Sequence, residues 1–298
     1  MTRYLTNEPV VSARVLLLAT VLMGLTAGLA SADPEDRPGP AACAGLPSQA
    51  ALQSALVNSV GVAGNGGLGF NMWATLVAND GTVCAVAFSG TQFTNQWLGS
   101  RVISAQKAST ANDFSLGEGS HIPAISLFRN GLALSTANLY SAVQPGGSLY
   151  GLQHSNPVDA EIAYSGDASK YGTAHDPLVG RRVGGVNVFG GGLVLLSTGG
   201  VKVGGLGVSG DTSCTDHMVA WRTRRTLDLD HFGPVATAVG GVSGDATHPD
   251  NILYDITATA NGGMLDPGGS LSKSASGFGH PKCLNQPDLS TLPGVQNP

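Results

Sequence analysis

The chain has 298 residues, of which 42% are hydrophobic and 12% are charged, and its formal net charge is −5. This length suggests one large domain or two small ones, and the hydrophobic fraction is sufficient for a packed core. The acidic balance argues against nucleic acid as a partner, because phosphate neutralisation needs a basic face. Glycine and proline are frequent, at 43 and 16 residues, but they stay below the range of low-complexity chains.

The N-terminal segment 1–32 has the pattern of a secretory signal peptide. Arg3 and Arg14 flank a polar region, the apolar run 15–29 is short for a bilayer span, and the small residues ASA follow it. Cleavage there gives a mature chain that begins at Asp33, and no later stretch has transmembrane length. We therefore expect a secreted or periplasmic protein, with an uncleaved membrane anchor as the alternative.

Four cysteines, all beyond this leader, indicate disulfide bonds. An even number of cysteines in an exported protein predicts two disulfides, for which three connectivities exist. We favour Cys43–Cys84 and Cys214–Cys283, because each pairing ties a terminal segment to the nearest part of the domain. No C-x-x-C occurs, so the spacing does not predict a zinc site.

The first half of the chain predicts a helix, a hairpin and a second helix. After a proline-rich, flexible lead-in at 33–45, Ser48 caps a helix whose apolar residues recur at helical spacing until Gly61. The segments MWATLVA and VCAVAFS flank the turn signal NDGT, which predicts a β-hairpin. The stretch 95–114 carries an apolar stripe and predicts a long helix.

The second half predicts another hairpin and helix after a long insertion. Residues 123–143 suggest a helical region broken near its middle by an Asn-Gly dipeptide, and the insertion 145–190 has no sustained period. GGLVLLS and VKVGGLGVS form the second hairpin, and a helix over 215–229 follows with Asp211 or Ser213 as its N-cap. HPDNILYDI predicts one strand in the C-terminal tail.

These elements predict an α+β fold in which an antiparallel sheet built from two hairpins is flanked by helices, because hairpins impose antiparallel pairing. The stretch GLGVSG at 205–210 matches G-x-G-x-x-G, the fingerprint of dinucleotide-binding turns, with Asp228 and Asp230 downstream. That fingerprint belongs to a parallel βαβ unit, whereas the strand here is the second arm of a hairpin. The sequence therefore argues against a dinucleotide site.

Two serine motifs raise the alternative of a hydrolase. Ser104 to Lys107 read S-x-x-K, the acylating element of serine β-lactamases, but Ser104 lies inside its helix and neither S-D-N nor K-T-G accompanies it. Ser209 stands in GVSGD, which lacks the final glycine of a nucleophile elbow. We expect no catalytic residue here, and a non-enzymatic function is favoured.

The insertion concentrates side chains that can ligate haem iron. His154 and His175 share it with Tyr150, Tyr164 and Tyr171, and histidine and tyrosine are both axial ligand types of haem proteins. Neither H-x-x-x-H nor H-E-x-x-H occurs, so no compact metal motif is predicted. The alternative is that these aromatic residues only anchor a polar loop against the sheet.

Three stretches of the sequence resemble the GlcG/HbpS-like family of haem-binding proteins. MWATLVANDGTVCAVAFSG resembles the first hairpin of that family, and SRVISAQKASTANDFSL resembles its A-x-x-K-A-x-T-A-x-x-F helix. GGLVLLSTGGVKVGGLGVSGDTSCTDHMVAW resembles its closing hairpin and helix. Together these stretches fall within residues 46–230, interrupted by the insertion.

The resemblance implies an α+β domain over 46–232, with its insertion at about 145–190, that commonly forms homo-oligomers. It also implies binding of haem or a related tetrapyrrole, in haem handling or redox sensing. The remaining residues, 233–298, form a C-terminal extension that we expect the second disulfide to tie to the domain. The alternative function is a secreted structural or interaction protein that has kept the fold without the ligand.

No iron ligand of the family can be matched to a residue here, because the first helix has no histidine. The candidate haem-binding residues are His121, His154, His175 and Tyr150. Lys107, with Arg101 on the same helix, is a candidate for pairing with haem propionates, and a solvated helix face is the alternative for Arg101. The sequence leaves the identity of any metal ligand open.

Overall fold

The computed structural model describes residues 41–120, 122–123, 126–256 and 274–297. The expected leader, the beginning of the lead-in and the candidate His121 lie outside these residues. Among the helices that the structure describes, none is both long enough and apolar enough to cross a bilayer.

The first half of the fold follows the sequence pattern closely. Helix α1 is Gln49–Val60, and the Ser48 hydroxyl accepts a hydrogen bond from the Ala51 N–H at 3.3 Å. Strands β1, Trp73–Ala78, and β2, Val83–Phe88, form the predicted hairpin. Gly81 in the connecting turn has a φ of 81°, a conformation that residues with a side chain rarely adopt. Helix α2 is Leu98–Asp113 and begins three residues later than predicted.

The second half contains the other hairpin, its helix and several short elements. In chain order these are β3 (Leu132–Ala133), α3 (Leu152–Ser155), α4 (Ala160–Ala163), β4 (Gly192–Ser197), β5 (Val201–Ser209), α5 (Ser213–Thr226) and β6 (Gly240–Gly241). Helix α5 is capped by Thr212, whose side chain accepts from the Thr215 N–H, rather than by Asp211 or Ser213.

Two predictions about secondary structure are wrong. Where a broken helix was expected at 123–143, the described residues form turns, strand β3 and two single 3-10 turns, Thr136–Leu139 and Ser141–Val143. HPDNILYDI, residues 248–256, forms no strand and contributes only an isolated bridge from Ile256 to Ser274. Both segments bury apolar side chains, such as Leu139 and Ile252, without the periodicity of a helix or strand.

The sheet confirms the predicted α+β class. Its four strands lie in the order β2-β1-β5-β4, and all three neighbouring pairs are antiparallel. Thr75 and Val77 of β1 stand opposite Gly207 and Gly205 of β5. The glycine-rich strand is therefore an inner strand of an antiparallel sheet, which fits the rejection of a parallel dinucleotide-binding unit.

Helices cover both faces of this sheet. On one face, Leu56 of α1 and Trp221 of α5 share a buried cluster with Leu206 of β5. On the other face, Val102 of α2 shares a second cluster with Val77 of β1. The alternation of side chains along each strand thus supplies two cores, one on each side of the sheet.

The insertion and the C-terminal residues both pack onto the domain. Leu178 and Val183 of the insertion belong to the core on the α2 side, and the Val83 N–H of β2 donates to the Arg181 carbonyl. On the other side, the Trp221 Nε1–H donates to the Pro293 carbonyl at 2.9 Å. Neither segment is a loose appendage within the described residues.

The cysteines form two disulfides, Cys43–Cys84 and Cys214–Cys283, which is the pairing that the sequence favoured. The first joins a single 3-10 turn, Ala41–Cys43, to strand β2. The second joins the start of α5 to the residues that follow the undescribed segment 257–273. Each bond therefore ties a terminal segment to the sheet or to a helix packed on it.

Candidate functional site

A buried ion pair holds the insertion onto helix α2. The Arg101 Nε–H donates to the Asp176 carboxylate at 2.9 Å, and a second guanidinium nitrogen also contacts that carboxylate. The guanidinium lies 3.7 Å from the centroid of the Tyr171 ring, and both ionic side chains are fully buried. Arg101 is therefore neither a solvated residue nor available to haem propionates, and the sequence interpretation of this residue is wrong.

The same carboxylate organises the backbone around Tyr171. Asp176 accepts hydrogen bonds from the Gly172 N–H at 2.7 Å and the Leu178 N–H at 2.9 Å. Gly172 has a φ of 76°, and a Cβ there would lie 2.8 Å from the Cβ of Phe88. Glycine thus allows this segment to approach strand β2 closely.

A cleft of about 390 Å³ opens between this segment and the loop after β2. We call it the Tyr171 cleft, and it is lined by Gln53, Phe88, Gly90, Thr91, Gln92, Phe93, Thr94, Ala168, Ser169, Tyr171, Gly172 and Thr173. Among these described lining residues none carries a charge. Helix α1 connects its walls, because Gln49 donates to the Gly172 carbonyl and Gln53 to the Phe88 carbonyl.

Aromatic rings supply the apolar surface of the Tyr171 cleft. The Phe93 and Tyr171 rings meet edge-on with centroids 6.0 Å apart, and Phe88 stacks on the buried Trp73 ring at 4.3 Å. The Tyr171 hydroxyl donates to the carbonyls of Tyr164 and Ser165 at 3.3 Å. This hydroxyl therefore has partners within the insertion, and Tyr171 contributes its ring rather than its oxygen.

His175 is the sequence-predicted candidate that lies beside this cleft. Its backbone N–H donates to the hydroxyl of the lining residue Thr173 at 3.2 Å, and the residue is exposed. His154 and Tyr150 are also exposed, but they lie on another part of the insertion, at and just before α3. The structure therefore does not bring the described candidates together into one ligand set.

Lys107 lies in the interior, away from solvent. Its ammonium donates to the Asp216 carboxylate at 2.6 Å and to the Val208 carbonyl at 3.0 Å, and it lies 4.3 Å from the centroid of the Phe189 ring. Burial lowers the pKa of Lys107 and raises the pKa of Asp216 to about 6, and in each case the ion pair opposes the shift. A propionate could reach this ammonium only by displacing Asp216, so Lys107 is a structural residue.

The serines of the hydrolase alternative are not accessible. Ser104 is fully buried, shares a 2.7 Å hydrogen bond with the Thr75 hydroxyl and donates to the Arg101 carbonyl. Ser209 is 3% exposed at the end of β5. An acyl substrate cannot reach either oxygen in this arrangement.

One cluster brings together side chains of metal-ligand type. Cys214, His280 and Cys283 have their potential ligand atoms within 4.8 Å of one another. Both sulfur atoms are joined in the second disulfide, and the His280 Nε2 lies 2.7 Å from the Ser213 hydroxyl. These partners account for the cluster without a metal ion.

Two buried histidines make the fold sensitive to acid. Burial lowers the pKa values of His217 and His280 to about 4 each. The His217 Nε2 lies 3.1 Å from the Asn251 Oδ1, and the Ile252 N–H donates to that same oxygen at 2.8 Å. Because the unfolded histidines titrate near pH 6.5, the unfolded state binds more protons below that pH, and stability falls as the pH falls towards 4.

We therefore expect the urea midpoint to fall between pH 7 and pH 5. The raised pKa of Asp216 acts in the opposite direction over this interval, but it is one group against two histidines. The variant His217→Gln should flatten the dependence, as measured by urea unfolding at both pH values. A midpoint that is constant or rises on acidification would contradict this assignment of the buried histidines.

No protein-family model matches the sequence, and a search of curated proteins finds no match. The solved structures that are similar to part of this chain include the following two. The crystal structure of a PduOC–haem complex shares 21% identity, covers 59% of this chain and 89% of its own, and has a TM-score of 0.37. Klebsiella pneumoniae protein ORFY, of family DUF336, shares 22% identity, covers 61% of this chain and 90% of its own, and has a TM-score of 0.36.

The chain is thus an α+β protein with a four-stranded antiparallel sheet between helices. At such identities and TM-scores the likeness does not transfer a ligand or a residue role.

Sequence reasoning missed most of the Tyr171 cleft. Residues 91–94 follow the first hairpin without a helix or strand period, and the cleft exists only because the insertion folds back over them. One signal was present: between residues 49 and 100 the sequence has a single charged residue, Asp80. A stretch so poor in charge, with exposed hydroxyl and amide side chains, could have indicated a surface for an uncharged group.

Proposed function

We propose that this protein binds haem or a related tetrapyrrole at the Tyr171 cleft, with the His175 imidazole as iron ligand. The observation that carries the proposal is an exposed histidine whose backbone N–H donates to Thr173, a residue that lines the cleft together with three aromatic residues. The resemblance of the sequence motifs to haem-binding proteins supports the same ligand class. An imidazole is the commonest proximal ligand among haem proteins that bind oxygen or peroxide.

The residues of the cleft fit the chemistry of a flat macrocycle. The half-buried Phe93 offers ring surface to its apolar face, and the mostly buried rings of Phe88 and Tyr171 form the apolar floor beneath. None of the described lining residues is cationic, so the propionates would remain in solvent. His175 comes from the insertion, which compensates for a first helix without histidine. Bound haem would supply redox or ligand-binding chemistry through its iron.

The protein fixes the conformation of the cleft wall before the ligand binds. Arg101 and Asp176 fix the turn that carries Tyr171 and His175, and both are buried under it. A turn held by charge-assisted hydrogen bonds changes little on binding, so less conformational entropy is lost. A site that binds and shields haem without a catalytic side chain suits haem handling or redox sensing.

We infer that this function is carried out outside the cytoplasm. The leader pattern of the sequence supports export, and two disulfides are typical of oxidising compartments. Homo-oligomerisation is proposed on the resemblance alone, and light scattering of the mature chain would test it.

Hemin titration of the mature protein, followed by the Soret band and by tryptophan fluorescence, tests the proposal. We expect a shifted Soret band near one hemin per chain. His175→Ala should weaken hemin binding by at least about tenfold, which is about 1.4 kcal/mol. His154→Ala is the matched control, because it removes another exposed histidine of the same insertion and should bind as the parent does.

Two results would count against this function. Absence of any spectral shift in the parent protein would favour the alternative of a secreted interaction protein without a ligand. Hemin binding could also be weakened equally by His175→Ala and His154→Ala, or by His154→Ala alone. Either result would show that His175 is not the iron ligand at the Tyr171 cleft.

A further inference from the structure

A surface that adjoins the Tyr171 cleft through the loop 91–97 combines exposed aromatic rings with few charged groups. Phe70 is 39% exposed and Trp97 is 56% exposed, and their rings meet at 88° with centroids 5.5 Å apart. Leu68 and Leu98 are exposed beside them in sequence. Large exposed aromatic side chains cost solvation free energy, so a paired set on one surface indicates a binding role.

The backbone beneath these rings is fixed by polar contacts. The Asp211 carboxylate accepts hydrogen bonds from the Leu68 N–H at 2.9 Å and the Phe70 N–H at 3.1 Å. The Gln96 side chain donates to the Gly210 carbonyl at 2.8 Å and also contacts the Asn71 carbonyl. The exposed rings therefore stand on an anchored support in the free protein.

The exposed polar side chains of the loop before Trp97 are neutral, and the Asp211 carboxylate beneath the rings is buried. Thr91, Gln92, Thr94 and Asn95 are exposed in the loop that leads to Trp97, and they offer hydroxyl and amide groups. From residue 49 to residue 100 the sole charged residue is Asp80, whose carboxylate pairs with Arg182. An anionic polymer or an anionic lipid surface would need cations here, and this stretch of sequence provides none.

We propose that Phe70 and Trp97 form a binding platform for a neutral, β-linked polysaccharide. Equatorial hydroxyl groups leave the axial C–H groups of such a sugar on its two flat faces. These C–H groups carry partial positive charge and pack on the electron-rich faces of aromatic rings. The equatorial hydroxyls are then free to exchange hydrogen bonds with neutral amide and hydroxyl side chains. Two perpendicular rings give this platform two contact surfaces.

Co-sedimentation with insoluble cellulose and insoluble chitin tests the platform directly. We expect the mature protein to bind at least one of these polymers, and added salt should not weaken the binding. Trp97→Ala should bind about tenfold more weakly, and Phe70→Ala should show a smaller loss in the same direction. Tyr150→Ala is the matched control, because Tyr150 is 65% exposed on the insertion and should be dispensable.

Three outcomes would overturn the proposed platform. The parent protein could fail to sediment with either polymer, Trp97→Ala could bind as strongly as the parent, or Tyr150→Ala could lose as much binding as Trp97→Ala. Light scattering could instead show that the parent is an oligomer and that Trp97→Ala is a monomer with unchanged polymer binding. That result would assign the rings to a contact between copies of this chain. Far-UV circular dichroism checks that each variant is folded, and hemin titration is read separately, so loss of either function is recognised by itself.

Discussion

Replacing Asp250 by alanine is expected to lower the free energy of unfolding by about 3–5 kcal/mol, because it leaves a buried guanidinium without its counter-charge. Arg224 of α5 donates to the two Asp250 carboxylate oxygens at 2.6 and 2.9 Å, and both side chains are fully buried. The guanidinium also donates to the Val194 carbonyl and lies 4.7 Å from the centroid of the Trp221 ring. The C-terminal residues are thereby coupled to the sheet.

Urea unfolding of Asp250→Ala, followed by tryptophan fluorescence, measures this loss. The matched control is Arg182→Ala, which removes the exposed ion pair with Asp80 and should leave the unfolding midpoint unchanged. A loss of less than about 1 kcal/mol in Asp250→Ala would show that the C-terminal residues are not needed to neutralise Arg224.

Gly207→Ala is the second substitution with a large expected effect, a loss of about 3 kcal/mol or more. A Cβ on Gly207 would overlap the Ser104 carbonyl oxygen and would lie 2.5 Å from the Ala108 amide nitrogen. Both atoms are backbone of α2, so relief requires the helix to move away from the sheet. That movement would also loosen the buried pair of Lys107 and Asp216, which bridges α2 and α5.

The chain offers a matched control for this glycine. Gly99 lies in the first turn of α2, and a Cβ there would meet nothing within 4 Å. Gly99→Ala should therefore keep or slightly raise the thermal midpoint, since alanine favours the helix. If Gly207→Ala unfolds at the same temperature as Gly99→Ala, then close contact between helix and sheet is not what this glycine provides.

The local elements were predictable because they depend on local signals. The Ser48 cap, the NDGT turn and the second hairpin placed α1, β1, β2, β4 and β5 close to their observed bounds. Two hairpins then sufficed to predict an antiparallel α+β fold. In GLGVSG the glycines allow helix α2 to approach the inner strand β5 closely, so the pattern serves packing here and not cofactor binding.

Long-range charge pairing could not be predicted in the same way. Arg101 and Asp176 are 75 residues apart, and Arg224 and Asp250 are 26 apart. A basic residue on a helix is usually solvated, so the sequence around it does not show that it has a partner in a distant loop. The irregular segments were hard to predict for a related reason: Asp176 of 145–190 pairs with Arg101, and Thr136 and Asn138 of 123–143 donate to the distant Phe189 and Asn251 carbonyls.

The candidate site shows the same division. Sequence reasoning listed His175 for its residue type and its place in the insertion. Only the fold shows that its neighbour Thr173 lines a cleft with Phe93, and that His154 is not next to a residue of this lining. Lys107 has a side chain that could pair with a propionate, but it lies on a buried face of its helix and pairs with Asp216 instead.

The most direct test of the central claim is an amide NMR spectrum of the labelled mature protein with and without one equivalent of ferric hemin. Paramagnetic iron broadens the signals of nearby amides. Binding at the Tyr171 cleft predicts selective broadening of residues 91–94 and 168–175. Broadening centred on Tyr150 and His154, or an unchanged spectrum, would contradict haem binding at this cleft.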